Sequence, residues 1–379
     1  MKKVFIIGLV LAACFFAGCD NGSTSGGGSG PQEEFYDETI TMLTPYANIT
    51  YIPNSANDRR VKVYNQNQYN RDDILTFIFN KNTVLRGSED IQARIMEDGK
   101  NPGLGVRSLH AQGITGKGVN VAIIDQNLLL NHPEFKGKIA AYYDTGCGMP
   151  ANRGSMHAPA VVSLLVGDTT GTAPGAKVFV AAAPSWNGDS EFYARALYWI
   201  IEENNKLPDG QKIRVVSISA APSGQGSPFT KNQNIWDQAV LAAQQNGILV
   251  LDCRSDPKTG IVMLAFYDPE DPENAAACIG GFPTRRWRIP DSQVGVPASY
   301  RTTAEEYWQG LPSYAYFGEG GLSWAIPYAA GILALGWQVN PNLGNDQIVQ
   351  ILFSTCSRGR DGSPIINPVA FIDAVKRTL

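Results

Sequence analysis

Hydrophobic and polar residues follow two different periods in the second half of the chain. Short apolar runs with the length of buried β-strands occupy residues 119–124, 178–183, 215–219, 248–251 and 275–280. Between them, residues 189–204 and 235–246 carry apolar side chains at helical spacing. Strands that alternate with helices predict an α/β fold, in which a mostly parallel sheet has helices on both faces.

Three polar residues stand where such a fold concentrates chemistry. Asp125 ends the first apolar run, His157 follows 32 residues later, and Ser323 lies far downstream. A serine hydroxyl is a weak nucleophile unless an imidazole takes its proton and a carboxylate orients that imidazole. The sequence therefore predicts a triad in the chain order Asp, His, Ser. We expect His157 and Ser323 to begin helices, with Pro159 and Pro327 in the first turns.

Taken one at a time, these residues have ordinary structural explanations. Asp125 fits a turn at a strand end, Ser323 fits a helix N-cap, and His157 fits a partly buried histidine. The chain has only two other histidines, His110 before the first core strand and His132 in a loop. Neither is placed to face the other two members, so both are expected to be structural. The triad hypothesis thus rests on the three residues jointly.

Five segments give the chain a resemblance to a known family. They are the Asn-His-Pro-Glu-Phe segment at 131–135, the His-Ala-Pro-Ala-Val-Val-Ser run opening at His157, the Gly-Thr-Ala-Pro-Gly-Ala segment at 171–176, the strand 215–219, and the Gly-Gly-Leu-Ser-Trp-Ala block at 320–325. Together they resemble the subtilase (subtilisin-like) serine peptidases, whose triad has the same order. The resemblance covers roughly residues 100 to 379.

The resemblance implies a serine endopeptidase that hydrolyses peptide bonds through an acyl-enzyme. Its substrate is a peptide or protein, whose backbone pairs with Ser219, Ala220 and Ala221. Ala221 stands where the family has glycine. No cofactor is implied, and no metal is expected, because residues 167–171 are too short for the family's metal-binding loop and the cysteines and histidines lack a ligand spacing.

One departure from the family pattern affects the chemistry directly. The resemblance implies an oxyanion-binding asparagine at the position that Asp256 occupies here. An ionised carboxylate cannot donate a hydrogen bond to a tetrahedral oxyanion, which leaves the amide of Ser323 as the remaining donor. A second hypothesis follows, in which the protein is a catalytically impaired, peptide-binding surface lipoprotein that keeps the fold.

The amino terminus predicts export and lipid attachment. Two lysines precede an apolar run that is too short to span a membrane, which is typical of a secretory signal. Phe16-Ala17-Gly18-Cys19 resembles a bacterial lipobox, so residues 1–18 are interpreted as a signal peptide and Cys19 as the lipidated residue. Cleavage before Cys14 and secretion without a lipid are the alternatives. The expected location is a bacterial membrane, facing the periplasm or the cell surface.

The remaining organisation is a Gly/Ser-rich tether at 19–34, an N-terminal extension or propeptide-like segment at 35–100, and the peptidase-like domain at 101–379. Without residues 1–18, the formal charge moves from −4 to −6, and the chain lacks the clustered Lys and Arg of a nucleic-acid surface. The cysteines beyond the anchor are interpreted as free thiols. The resemblance places Cys253 and Cys278 as neighbours in one sheet.

Overall fold

The computed structural model describes residues 36–39, 43–51, 61–64, 69–150, 153–308 and 310–379. The predicted signal peptide, the lipidated Cys19 and the Gly/Ser tether lie outside the described residues. The boundary between an extension ending at residue 100 and a domain starting at residue 101 stays a prediction.

The described residues contain sixteen β-strands, which are β1 Tyr36–Thr39, β2 Val61–Tyr64, β3 Ile78–Asn80, β4 Thr83–Leu85, β5 Asn120–Asp125, β6 Ile139–Asp144, β7 Lys177–Ala182, β8 Ile213–Ile218, β9 Leu249–Leu251, β10 Val262–Phe266, β11 Ile279–Gly280, β12 Val294–Pro297, β13 Arg301–Trp308, β14 Leu311–Phe317, β15 Ser357–Arg358 and β16 Pro364–Ile365.

The α-helices of the described residues are α1 Arg71–Thr76, α2 Glu89–Asp98, α3 Val106–Ala111, α4 His157–Val166, α5 Ser190–Lys206, α6 Gln233–Gln245, α7 Leu322–Val339, α8 Asn345–Ser354 and α9 Pro368–Lys376. Two short 3₁₀ helices cover Ser185–Asn187 and Ala275–Ala277. Helix α5 begins where its sequence predicts, because the side chain of Asp189 accepts the amide of Glu191 as an N-cap.

The central sheet has the strand order β6-β7-β5-β8-β9, and every neighbouring pair is parallel. The three inner strands β7, β5 and β8 and the edge strand β9 coincide with four of the predicted apolar runs. Helices α4 and α7 pack on one face, while α5 and α6 bury their apolar residues on the other. The predicted α/β architecture is confirmed.

The fifth predicted strand, at 275–280, is wrong for most of its length. The side chain of Asn274 accepts the amide of Ala276 and starts a 3₁₀ turn, so only β11 remains extended. This strand pairs antiparallel with β10 in a second sheet of order β11-β10-β12-β16-β15. Cys278 therefore lies beside the second sheet and Cys253 follows β9 of the first. The family resemblance implied that these two cysteines are neighbours in one sheet, and this expectation is wrong.

Helix α7 runs through the protein core. It is the one helix among the described residues with the length and apolarity of a membrane span, but 78% of it is buried inside the protein. That burial is typical of a core helix. The sequence predicted both prolines in the first turns of their helices. Pro159 is the third residue of α4 and confirms this prediction. Pro327 is the sixth residue of α7, beyond the first turn, so the prediction is wrong there.

The extension forms a small apolar cluster of its own and joins the larger domain through a hairpin. Strands β13 and β14 form this antiparallel hairpin, and β3 of the extension pairs with β14. Phe79 and Tyr316 are both fully buried at this junction, with ring centroids 5.0 Å apart. The sheet β13-β14-β3 thus continues from one part of the chain into the other.

Candidate active site

The predicted acid and base lie side by side at the carboxyl end of the central sheet. Asp125 ends β5 and is buried, and His157 is the first residue of α4. The imidazole Nδ1 is 2.8 Å from Asp125 Oδ1 and 2.9 Å from Oδ2. Burial by itself lowers the pKa of His157, but the charge and the hydrogen bond of Asp125 outweigh it, so the pKa is raised above 6.5. An ionised carboxylate only accepts, so Nδ1 carries a proton and Nε2 is left as the base.

Ser323, the second residue of α7, is joined to Ser219 by two hydrogen bonds. Its Oγ donates to the carbonyl oxygen of Ser219 at 3.4 Å, and Ser219 Oγ donates to the carbonyl of Ser323 at 2.8 Å. That carbonyl is available because Pro327, four residues on, has no amide to give it. No hydrogen bond joins Ser323 to His157 among the described residues. In active sites without a substrate, the distance between nucleophile and base is often longer than a hydrogen bond.

Ser219, Ala220 and Ala221 directly follow β8, as the sequence suggests for a peptide-binding edge. The carbonyl of Ala220 accepts the amide of Cys253 at 2.9 Å, and that of Ala221 accepts Ser227 Oγ at 2.6 Å. The amide of Ala221 has no partner among the described residues. A peptide that paired here would therefore meet a free donor.

The carboxylate of Asp256 is used by its own turn. Its Oδ1 accepts the amides of Lys258 at 2.8 Å and Thr259 at 3.2 Å, and its carbonyl accepts the amide of Gly260. The carboxylate oxygen Oδ1 of Asp256 is therefore a hydrogen-bond acceptor in the structure. The role of Asp256 in binding the oxyanion stays a prediction. The amide of Ser323, in the first turn of α7, has no partner inside the helix and is free to donate.

Arg254 connects this loop to helix α6. Its guanidinium contacts the carboxylates of Asp252 at 2.6 Å and Asp237 at 2.8 Å, and it donates to the hydroxyls of Ser223 and Thr259. Burial raises the pKa of Asp252, and Arg254 opposes that effect. Because its donors are engaged, Arg254 holds the residues of this loop in place and is not a free cation for a substrate.

The other histidines bond to the backbone. His110 Nε2 lies 2.9 Å from the carbonyl of Thr172, and His132 Nε2 lies 2.9 Å from that of Ser313. Burial lowers the pKa of both. The four described cysteines are free. No group of three or more metal-ligating side chains occurs in the described part of the chain.

The segment before His157 contains contacts that sequence reasoning missed. Asn127 Nδ2 donates to the carbonyl of Arg153 at 3.1 Å, and the amide of Ser155 donates to the carbonyl of Asn127 at 2.9 Å. The hydroxyl of Ser155 accepts the amides of His157 and Ala158, which caps α4. The serine two residues before the histidine was the available signal for this cap.

Comparison with known proteins is consistent with this arrangement. A family model described as the subtilase family matches residues 116–254, which include Asp125 and His157 but end before Ser323. Subtilisin NAT of Bacillus subtilis subsp. natto is 25% identical over 259 residues, covering 66% of this chain and 63% of its own length. Subtilisin Savinase of Lederbergia lenta is 27% identical over 271 residues, covering 69% and 93%. This chain thus spans less than two thirds of subtilisin NAT.

A solved structure shows the same fold. Fervidolysin from Fervidobacterium pennivorans, described as a keratinolytic enzyme related to subtilisin, superposes with a TM-score of 0.50 at 17% identity. The match covers 71% of this chain and 44% of that one. The family model, the curated relatives and the common α/β fold agree, and the chain is similar to the subtilase family, whose model it matches over residues 116–254.

Proposed function

We propose that the protein is a serine endopeptidase that cleaves peptide or protein substrates through an acyl-enzyme. Ser323 Oγ attacks the scissile carbonyl carbon while His157 Nε2 takes its proton. His157 then gives that proton to the leaving amine, and water hydrolyses the ester by the reverse steps. Asp125 keeps the imidazole in the required tautomer. The amide of Ser323 donates to the oxyanion, with Asp256 beside it in the family position.

The pairing of His157 with Asp125 carries this proposal. A bond of 2.8 Å between a buried carboxylate and an imidazole at a helix start leaves Nε2 free to act. The nucleophile candidate, Ser323, is bonded to Ser219 at the same carboxyl edge of the sheet. The match to the subtilase family model over residues 116–254 supports peptide-bond hydrolysis as the reaction.

The loop at Asp256 favours a second candidate, which is an impaired, peptide-binding protein. Its carboxylate accepts two backbone amides instead of offering a donor. Loss of one oxyanion donor lowers turnover by about 10²–10³. A site with the triad and one remaining donor would still acylate slowly.

Labelling with a fluorophosphonate tests the proposal, because the reagent reacts with an activated serine. We expect the wild-type protein to be labelled at Ser323, and Ser323→Ala to lose both the label and any peptide hydrolysis. Ser217→Ala is the control that keeps Ser323, because the buried hydroxyl of Ser217 has no hydrogen-bond partner among the described residues. Equal labelling of wild type and Ser323→Ala would contradict the enzyme assignment, and absence of label in both would favour the peptide-binding candidate.

We also propose that the protein is exported and anchored to a bacterial membrane through a lipid on Cys19. The apolar run before Cys19 and the Gly/Ser tether after it support this interpretation. Mass spectrometry of the mature amino terminus should find a diacylglyceryl cysteine at position 19. An unmodified terminus beyond residue 20 would reject the anchor, and a modified Cys14 would move the cleavage site.

A further inference from the structure

The three residues 153–155, which lead into the catalytic histidine, are held from two sides. On the side of the acid, Asn127 bonds to Arg153 and Ser155 through the contacts described above. Arg153 and Gly154 also contact Glu306 of the β13–β14 hairpin. His157 therefore begins its helix from a segment whose position depends on both contacts.

Glu306 makes the contact on the hairpin side. Its carboxylate accepts Arg153 Nε at 2.6 Å and also the amide of Gly154. It further accepts the amide of Gly310 at 2.9 Å, across the tip of the hairpin. The Glu306 side chain is 4% exposed and that of Arg153 is 32% exposed, so the carboxylate end of this ion pair is shielded from water.

The same hairpin is also linked to the imidazole indirectly, through the ring of Trp324. Phe317, at the end of β14, meets the ring of Trp324 edge-on with centroids 5.1 Å apart. The Trp324 ring in turn lies 5.4 Å from the ring of His157. Thus β13 holds the segment before the histidine, and β14 supports the aromatic surface beside it.

The extension fixes the hairpin from its far side. Strand β3 pairs with β14, with Ile78 opposite Phe317. Asn80 Nδ2 donates to Glu305, the neighbour of Glu306, at 3.3 Å. Thr302 of β13 donates its amide to the carbonyl of Gly99 at 2.8 Å. A continuous set of contacts therefore leads from the extension through the hairpin to the triad.

We propose that Glu306 is a positioning residue for His157, and that through it the β13–β14 hairpin sets the place of the imidazole relative to Ser323. This inference rests on the proposed function of the triad. The carboxylate holds Arg153 and Gly154 by charge-assisted bonds, which restrict the segment immediately before the base. A displacement of about 1 Å in a reacting group can cost about 100-fold in rate, so a modest loosening here is measurable.

The test measures fluorophosphonate labelling over a range of reagent concentrations. Glu306→Ala should lower the maximal labelling rate about tenfold, while the half-saturating concentration changes less than about twofold. Glu306→Gln should recover only part of the rate, because the amides of Gly154 and Gly310 bond to different carboxylate oxygens and the NH₂ group of Gln replaces one of them with a donor. Glu305→Gln is the matched control, since it changes the adjacent buried carboxyl and should leave the labelling rate unchanged. Circular dichroism establishes that each variant is folded.

A second measurement does not need activity. The Nδ1 proton of His157, bonded to Asp125, should give a downfield proton resonance that broadens or shifts in Glu306→Ala but not in Glu305→Gln. Wild-type labelling rates in folded Glu306→Ala, or equal losses in the Glu305 and Glu306 variants, would overturn the positioning role. If wild type is not labelled at all, the proposed function fails, and the resonance alone decides whether Glu306 positions the imidazole.

Discussion

His157 is restrained by contacts on more than one side of its ring. Asp125 holds Nδ1, and the ring of Trp324 covers a further part of the imidazole. The indole Nε1 of Trp324 is buried without a hydrogen-bond partner in the described protein. An unpaired buried donor costs about 1–3 kcal/mol, so the packing that Trp324 gives to His157 and Phe317 is kept in spite of that cost.

Asp256→Asn is expected to raise turnover. The amide oxygen can keep accepting the backbone amides of Lys258 and Thr259, while its NH₂ group becomes a donor that a carboxylate lacks. We expect an increase approaching about 100-fold at pH 8, the value of a single oxyanion donor. Steady-state peptide hydrolysis measures it, with Asp256→Ala as the control that removes the charge without adding a donor. Unchanged or lower turnover in the folded Asn variant would show that Asp256 is not at the oxyanion.

Glu305 makes the stability of the protein depend on pH. Burial raises its pKa from 4.5 to about 7, against the opposing effects of Asn80 and Lys81. Below pH 4.5 the carboxyl is protonated in both the folded and the unfolded chain, so it adds no penalty. As the pH rises to about 7, the unfolded chain loses this proton first and stability falls. Above about 7 the penalty is complete and reaches about 3 kcal/mol.

Glu305→Gln should remove that penalty. The amide has the shape of the protonated carboxyl and still accepts the side chain of Asn80. We therefore expect a free energy of unfolding that matches wild type at pH 4.5 and exceeds it at pH 8 by up to about 3 kcal/mol. Urea unfolding at both pH values provides the measurement. A difference that is the same at both pH values would show that Glu305 titrates normally.

At the scale of elements, one proline determines how helix α7 meets strand β8. Pro327 deprives the carbonyl of Ser323 of its helical partner, and Ser219, just beyond β8, supplies a hydroxyl in place of it. The return bond from Ser323 Oγ closes the pair. The first turn of α7 is thereby attached to the strand end where the proposed peptide substrate would lie.

Ser219→Ala should lower stability by about 1–2 kcal/mol, because it leaves the carbonyl of Ser323 without a donor. The labelling rate of Ser323 should fall with it. Ser217→Ala is the matched control on the same strand, since Ser217 Oγ is buried with no partner and its removal should be neutral or stabilising. Denaturant unfolding of both variants checks this. Equal effects at the two serines would mean that the bond to Ser323 has no energetic weight.

At the scale of the whole molecule, the extension is packed as part of the folded body. Its apolar cluster includes Ile74, Phe77 and Phe79 together with Tyr316 of the hairpin. Without the extension, β14 would lose its partner β3 and this cluster would be open to water. The segment therefore contributes to the fold as well as to the support of the hairpin.

We expect the extension to remain in the active protein and not to be removed as a propeptide. Intact-mass spectrometry of fully active protein should find a chain that still contains residues 35–100 after long incubation. The Ser323→Ala variant, which has no nucleophile for self-cleavage, should give the same mass. A folded, active protein that lacks residues 35–100 would contradict this expectation.

Local sequence determined much of the architecture. Apolar runs of strand length predicted β5, β7, β8 and β9, and apolar periodicity predicted α5 and α6 to within a few residues. These strands and helices can be predicted because their apolar period and their capping residues depend on positions that are close together in the sequence. The same reasoning erred at 275–280, because a short apolar run also fits the 3₁₀ turn that Asn274 starts.

The position of Asp125, His157 and Ser323 at one edge of the sheet was likewise predicted from sequence, because strand ends and helix starts meet at the carboxyl edge of a parallel sheet. Only the tertiary structure decided how these residues are held. Arg153 and Glu306 are 153 positions apart, and Ser219 and Ser323 are 104 apart. Such pairings depend on the path of the whole chain, so no apolar period or capping residue in the local sequence predicts them. That is why the hairpin's contact with the segment before His157, and the bond that Pro327 makes possible, emerge only in three dimensions.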